Sequence, residues 1–328
     1  MGKRLRRVFI YTLIILIAGW YFFPSLKQFA RQKHIPFFSS LTYQDPLPSQ
    51  EEAKEESTYQ EETLEQPLLF PSVNRIGQLF SKEEDQLPIV ETLTYTPAVS
   101  WLSGRSAWLG DYAAYYKTPS HFIARSLNGS CNYITPKVSL GKKFNVFKKD
   151  KPIQFSLLLD LSQRVMGFYY TDLETKEHVF LRSYPVVIGK KDAGDQESLT
   201  PTGKFVLGDK TAVYRPGVKG LFQGKQIEMI SIFGTRFIPL EPNFSQKNSL
   251  CHFSIHGLPW SLDSESEKWR EIDPVLVGDA SEGSICMRAE DIEELFSIIV
   301  TRPTVIEIVK HLQEAPLFTS ESAALQKE

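Results

Sequence analysis

Residues Phe155 to Leu161 form a nearly continuous apolar run, the pattern of a strand buried on both faces. The segments after it repeat the theme. Val165–Tyr170 and Val179–Val187 flank the polar Asp172-Leu173-Glu174-Thr175-Lys176 and read as a hairpin. Further strands are predicted at Gly203–Leu207, Ile227–Phe233, Cys251–His256 and Thr304–Val309. One helix stands out, at 289–300, where Ile292, Leu295, Phe296 and Ile299 recur at helical spacing. Many strands and few helices imply a mainly β domain over 152–310, a sandwich or a barrel-like sheet.

Two segments of that domain carry chemistry. Phe253-Ser254-Ile255-His256 alternates as a strand, and Gly257 and Pro259 break it. Ser281-Glu282-Gly283-Ser284-Ile285-Cys286-Met287-Arg288 reads as a short strand running into the helix. A cysteine attacks acyl carbons as a thiolate, and a nearby imidazole can generate it. A thiol just before a helix N-terminus also sits near partial positive charge, which favours ionisation. A lone histidine at a strand end is more often structural, so the pairing of His256 with Cys286 needs further support.

That support is a resemblance. The His256-Gly257 and Ser281–Arg288 segments, with Ser183-Tyr184-Pro185-Val186-Val187-Ile188-Gly189-Lys190 and Thr200-Pro201-Thr202-Gly203-Lys204-Phe205, resemble the L,D-transpeptidase (YkuD-type) catalytic domain. The resemblance implies a β-sandwich with a helix after the nucleophile. It also implies His256 as base and Cys286 as nucleophile, with Gly283, Ser284, Arg288 and Gly257 in substrate or oxyanion binding. Two registers fit the family's Ser-His-Gly-Cys-Ile-Arg-like segment. The ungapped one places Ser284 at the cysteine position and Cys286 at the arginine. The other, shifted by two residues, places Cys286 and Arg288 there. In an extended chain residues 284, 286 and 288 share a face, so both registers describe one site. Glu282 replaces the family's second histidine, and Asp263-Ser264-Glu265-Ser266-Glu267-Lys268 looks like an insertion between His256 and Cys286.

By this resemblance the substrate is a peptidoglycan stem peptide. The thiolate attacks the carbonyl between its third and fourth residues, releases the terminal D-alanine and leaves a thioester, which an amine of a second stem resolves into a cross-link. Backbone N–H groups from Gly283 to Met287 are expected to hold the oxyanion, and Arg288 a substrate carboxylate. An L,D-carboxypeptidase of the same fold, and a binding protein whose transpeptidase-like domain has lost activity, stay open as alternatives. No cofactor is implied. No metal cluster, phosphate loop or nucleic-acid patch is visible. His252 and His256 share a strand face but do not make a metal site. Protein partners cannot be read.

The net charge of −2 says little, but its distribution says more. Lys3, Arg4, Arg6 and Arg7 precede an uncharged apolar run of 16 residues from Val8 to Phe23, ended by Pro24. A full span takes ~20 residues. The basic flank predicts a cytoplasmic N-terminus. Trp20-Tyr21-Phe22-Phe23 offers no small-residue cleavage site. Residues 1–24 are therefore read as an uncleaved signal anchor with a transmembrane helix, a cleaved signal peptide being the alternative. The expected location is single-pass in the inner membrane, with the catalytic domain on the periplasmic or extracytoplasmic side. Residues 25–93 are read as an acidic disordered linker. Between Asp45 and Glu65 lie eight acidic residues and one lysine, too little apolar surface to offset ordering. A chain beginning near residue 91 is expected to keep the chemistry. Cys131 and Cys251 are read as small buried residues, and the tail 311–328 as flexible.

Residues 94–148 are read as a small α+β unit. Trp108-Leu109-Gly110-Asp111 opens a helix bearing Tyr112, Tyr115 and Tyr116. Thr118-Pro119-Ser120 opens a second with Phe122, Ile123 and Leu127, ended by Asn128-Gly129. Leu140-Gly141 and Phe144-Asn145-Val146 close it with a turn and a strand. This strand–helix–helix–strand order is similar to a LysM domain, which implies binding to glycan strands containing N-acetylglucosamine. A small structural domain whose aromatics are only core is the alternative.

Overall fold

The computed structural model describes residues 69–129, 138–190, 198–209, 211–242, 253–277 and 281–315. The apolar run 8–23, the linker up to residue 68, Cys131, Cys251, His252 and residues 316–328 of the tail lie outside the described residues. The reading of 311–328 as flexible is corrected at its start, where Leu312 and Ala315 are fully buried in a core cluster. No helix among the described residues is long and apolar enough to cross a membrane.

The described chain begins with a short helix, α1 (Ile76–Phe80), then β1 (Val90–Thr94), α2 (Leu109–Tyr115), α3 (Ser120–Asn128) and β2 (Lys143–Phe147). β1 and β2 pair antiparallel, Val90 opposite Phe147 and Thr94 opposite Lys143. The order strand–helix–helix–strand is thus present. Gly129 ends α3 in the left-handed conformation (φ 64°), the conformation that glycine adopts without penalty. Asp111 accepts the Trp108 backbone N–H at 2.8 Å from inside the first turn of α2.

The reading of 25–93 as a linker is corrected at its C-terminal end. Leu79 is fully buried, and Ile76, Leu87, Ile89 and Val90 are buried with it. The acidic residues flanking these positions mask five apolar side chains that share one core. A chain beginning at residue 91 would remove them, so the working boundary lies at or before residue 69.

The mainly β region follows as β3 (Ile153–Asp160), β4 (Val165–Asp172), β5 (His178–Pro185), β6 (Gly203–Leu207), β7 (Ala212–Val213), β8 (Lys219–Phe222), β9 (Lys225–Glu228), α4 (Ile230–Phe233), β10 (Arg236–Pro242), β11 (Ser254–Gly257), β12 (Trp260–Leu262), β13 (Trp269–Glu271), α5 (Pro274–Val277), β14 (Ile285–Met287), α6 (Ala289–Ile299) and β15 (Thr304–Val309). Among the described residues nine strands share one sheet in the order β14-β11-β10-β6-β15-β3-β4-β5, with β7 on β10. β15 lies parallel to β3, and β11 parallel to β14. The domain is mainly β, as expected. The predicted strand 227–233 is instead the end of β9 followed by α4, which stops at Gly234 (φ 59°, ψ −148°). α6 packs on β10 and β11 on one side and α3 on the other. Ile292, Leu295, Phe296, Ile298 and Ile299 of α6 are buried, and each such side chain stabilises by about 1.5–3 kcal/mol.

Candidate active site

β11 and β14 are short, parallel and nearly identical in pattern. Ser254-Ile255-His256-Gly257 lies beside Ser284-Ile285-Cys286-Met287, with Ile255 opposite Ile285 and His256 opposite Cys286. Both isoleucines are fully buried. Alternation then sends His256 and Cys286 to the other face together. The Cys286 Sγ stands 3.6 Å from His256 Nε2. Two residues earlier on the same face, Ser284 Oγ lies 3.1 Å from Ser254 Oγ and accepts the Ser254 N–H at 3.3 Å. The imidazole is therefore paired with the thiol, and the serine hydroxyl with another serine.

The tautomer follows from the other ring nitrogen. His256 Nδ1 lies 2.8 Å from the Gly257 carbonyl oxygen. A carbonyl only accepts, so Nδ1 carries the proton and Nε2 presents its lone pair to the thiol. Cys286 and His256 are 3 % and 6 % exposed, and this burial sets both charges. It pushes the thiol up to about 12 and the imidazole down to about 4, the Gly257 hydrogen bond opposing the latter. The resting pair is a neutral thiol and a neutral imidazole. Ionisation of the thiol by the α6 N-terminus is thus corrected, because desolvation dominates. An edge-on ring at 5.4 Å, Phe233, closes over the imidazole. Phe233 itself packs on Phe222 and Phe237 at 5.7 and 5.0 Å.

The strand segments of the resemblance converge under this pair. Cys286 exchanges two backbone bonds with Val187, at 2.8 and 2.9 Å. The Gly189 N–H donates to Thr200 Oγ1 at 2.7 Å, and the Lys190 N–H to the Ser281 carbonyl at 2.9 Å. Gly283 completes the crossing. Its φ is 108°, and a Cβ there would stand 2.3 Å from the Phe253 ring and 2.8 Å from the Leu199 carbonyl oxygen. Gly283 is therefore required by backbone geometry and close approach. The expectation that Gly283 to Met287 supply the oxyanion donors is corrected at two positions. The Cys286 N–H is committed to Val187, and the Gly283 N–H to Ser281 Oγ at 3.2 Å. Gly257 serves a second contact: a Cβ on it would lie 3.0 Å from the Thr235 nitrogen. Arg288 is exposed and forms the N-cap of α6, without a side-chain capping bond.

The cap comes from elsewhere, from a residue that sequence reasoning missed. Glu271 Oε1 accepts the Ala289 N–H at 2.6 Å. Glu271 belongs to the β12–β13 hairpin, which contains the charged run 263–268 inserted between His256 and Cys286. Burial raises its pKa, opposed by the Ala289 bond and the Arg288 charge. The signal in the sequence was indirect: Arg288 is a poor N-cap residue, so a partner for the first turn had to come from another segment. Glu271→Ala is expected to cost about 1–2 kcal/mol, whereas Glu271→Gln, which keeps an acceptor oxygen, should cost less than about 0.5. Urea unfolding of both variants reads this out, and equal losses would remove the cap as the cause.

The buried imidazole also makes a stability prediction. Its folded pKa, about 4, lies below the unfolded value of 6.5. Between these values the unfolded chain binds more protons, so stability is lost as pH falls from 6.5 towards 4. The full shift amounts to about 3 kcal/mol. The stability gap between wild type and His256→Gln is expected to shrink by that order between pH 7 and pH 4. A gap independent of pH would show that the imidazole titrates normally.

Among the described residues no group of three or more His, Cys, Asp or Glu side chains is placed to hold a metal. Residues 154–308, just under half of the chain, match the family model of the YkuD L,D-transpeptidase catalytic domain. No curated protein matches the chain. Among solved structures, Bd1075 from Bdellovibrio bacteriovorus aligns at 20% identity over 53% of this chain and 55% of that one, with a TM-score of 0.34. The helical cell shape determining protein Pgp2 from Campylobacter jejuni aligns at 17% identity over 49% of each chain, also with a TM-score of 0.34. The chain thus spans about half the length of the solved structures it matches.

Proposed function

We propose that the protein is a membrane-anchored peptidoglycan L,D-transpeptidase that forms cross-links through a thioester on Cys286. One observation carries the reading: a thiol 3.6 Å from the free lone pair of an oriented imidazole, inside the region that matches the YkuD family. The neutral resting pair shapes the chemistry. As the Sγ–C bond forms on the stem carbonyl, the thiol proton passes to His256 Nε2. The buried imidazolium is disfavoured, so that proton moves on quickly. When the tetrahedral adduct collapses, the C–N bond breaks and the departing D-alanine amine takes the proton. The amine of a second stem then attacks the thioester, gives its proton to Nε2, and the sulfur recovers it on leaving. Arg288, exposed just beyond Cys286, is assigned to a substrate carboxylate.

The β1–α2–α3–β2 order supports the LysM-like reading of the 94–148 unit and, with it, glycan binding. The basic flank and apolar run at residues 3–23 support an inner-membrane anchor with the catalytic region outside the cytoplasm. A second reading, L,D-carboxypeptidase, is favoured by the enclosure of the pair: at 3 % exposure for Cys286, water reaches a thioester more readily than a second stem does. The two are separated by incubating the protein with a tetrapeptide-stem muropeptide and analysing the products by mass. Cross-linked dimers support the transpeptidase, and tripeptide monomers alone the carboxypeptidase. Absence of turnover, together with absence of a covalent carbapenem adduct, would leave a binding protein.

A further inference from the structure

A cavity of about 450 Å³ lies where β6 and β10 part. The connections that follow β6 and α6 border it, through Gly208, Asp209 and Thr211 on one side and Thr301, Arg302 and Pro303 on the other. Cys286 stands before the start of α6, whereas the cavity takes in Ile299 and Val300 at its end. The 11 residues of α6 put about 16 Å of helix between the two places. Val206, Ile238, Ile299 and Val300 make part of the wall apolar. The rest carries charge of both signs, and these charges do not meet. Arg302 is half-buried, with its guanidinium 4.8 Å over the Phe147 ring. Its backbone is fixed, since its N–H donates to the Ile299 carbonyl at 2.8 Å and its carbonyl accepts the Thr304 hydroxyl at 3.0 Å. Its Nε is buried and bonds no acceptor among the described residues. Burial lowers the Arg302 pKa, with no carboxylate to oppose the shift. Across the cavity stand Asp209 and Glu241, both exposed. A Cβ on Gly208 would lie 2.5 Å from Glu241 Oε1, so this carboxylate occupies room that only a glycine leaves. Among the described residues neither carboxylate has a cationic partner.

We infer that this cavity is a second binding site, for a free amino acid with an apolar side chain: its carboxylate on Arg302, its ammonium group on Glu241 and Asp209, its side chain on the apolar wall. The size suits one small molecule and not a folded partner. The charge pattern selects the class. A guanidinium without a carboxylate keeps an unused fork for two parallel hydrogen bonds. Burying it unpaired is costly, and the Phe147 ring offsets only part of that cost. A simple anion would satisfy Arg302 and meet repulsion from the two carboxylates. A simple cation would do the reverse. A zwitterion satisfies both ends at once and leaves its apolar part for Ile238 and Ile299. The site is independent of the thioester chemistry proposed for Cys286.

The test is a ligand-observed NMR titration of the full chain with leucine of either hand, 4-methylpentanoate, which lacks the ammonium group, and 3-methylbutylamine, which lacks the carboxylate. At least one leucine enantiomer is expected to bind with a Kd of about 1 mM or tighter. Each single-charge analogue should bind about tenfold more weakly or worse, the loss of one charge-assisted hydrogen bond. Asp209→Asn with Glu241→Gln should weaken leucine by a similar factor. Both residues are exposed, so that variant should fold even if Arg302→Met, which loses the Phe147 contact, does not. Gly208→Ala should also weaken leucine, by displacing the Glu241 carboxylate. Three results would each overturn the inference: no binding of either enantiomer at about ten times that concentration, analogues that bind as well as leucine, or an Asp209→Asn, Glu241→Gln protein that binds leucine like the wild type. Acylation of Cys286 by a carbapenem is read separately on the same protein, so failure of this site and failure of the thioester reading are told apart.

Discussion

Cys286→Ala is expected to fold and to form no acyl-enzyme with a stem substrate or a carbapenem, as read by intact-mass spectrometry. The substitution removes one sulfur from a strand whose backbone bonds to Val187 remain, so the fold should survive. Ser284→Ala should only slow acylation. Its hydroxyl faces Ser254 Oγ at 3.1 Å and has no imidazole partner, and an unassisted hydroxyl is a poor nucleophile near neutral pH. His256→Ala should slow acylation further, because the neutral thiol then has nowhere to send its proton. The thiol of that variant should still be modified by a small alkylating agent. In wild type the same alkylation should be slow and should show no inflection near neutrality, since burial holds the thiol up at about 12. A stable adduct on Cys286→Ala that vanishes when Ser284 is also replaced would transfer the nucleophile to the serine and reverse this assignment.

What was legible beforehand tracks how local each signal is. β6 and β15 begin and end where alternation and apolar runs place them, at 203–207 and 304–309. α6 is likewise found one residue short of its predicted end. β10 was not legible, because Pro239 and Pro242 interrupt a reading as strand. The structure shows why the first proline is tolerated. β10 pairs with β7 through Arg236 and Phe237 and with β6 through Leu240 to Pro242, so Pro239 falls between two partners on that edge. The meeting of His256 with Cys286 had a latent signal in the repeated Ser-Ile-X pattern of β11 and β14, but parallel register is a tertiary choice. Glu271 as the cap of α6, and α1 as part of the core, depend on contacts far along the chain that periodicity does not report.

Glu294→Ala is expected to give the largest loss of stability, about 3–5 kcal/mol. Glu294 is 8 % exposed, on the buried face of α6. Its Oε1 receives Arg182 at 2.6 Å and the Tyr184 hydroxyl at 3.1 Å, and its Oε2 receives Arg125 at 3.1 Å. Arg182 also bonds Asp291, one turn earlier, at 3.0 Å. One carboxylate thus ties together β5, α3 and α6, and its removal leaves two guanidinium groups and a buried phenol short of their acceptor. Tyr184 shows how dry the place is: burial holds its hydroxyl well above the usual phenol range, and the Glu294 charge adds to this. A dry, converging arrangement separates this carboxylate from a surface ion pair, which contributes at most about 1 kcal/mol. For a chain of this size the loss corresponds to a fall in Tm on the order of 10 °C. Arg125→Ala should cost less, because Arg182 still neutralises the carboxylate and the Tyr184 hydroxyl still donates to it, and the double variant should cost less than the sum of the two. Thermal and urea unfolding of the three proteins decide the point. A loss under about 1 kcal/mol for Glu294→Ala would mean that water screens the cluster, and that α3 and α6 are held together mainly by packing, His121 on Phe296 and Phe122 in their shared core.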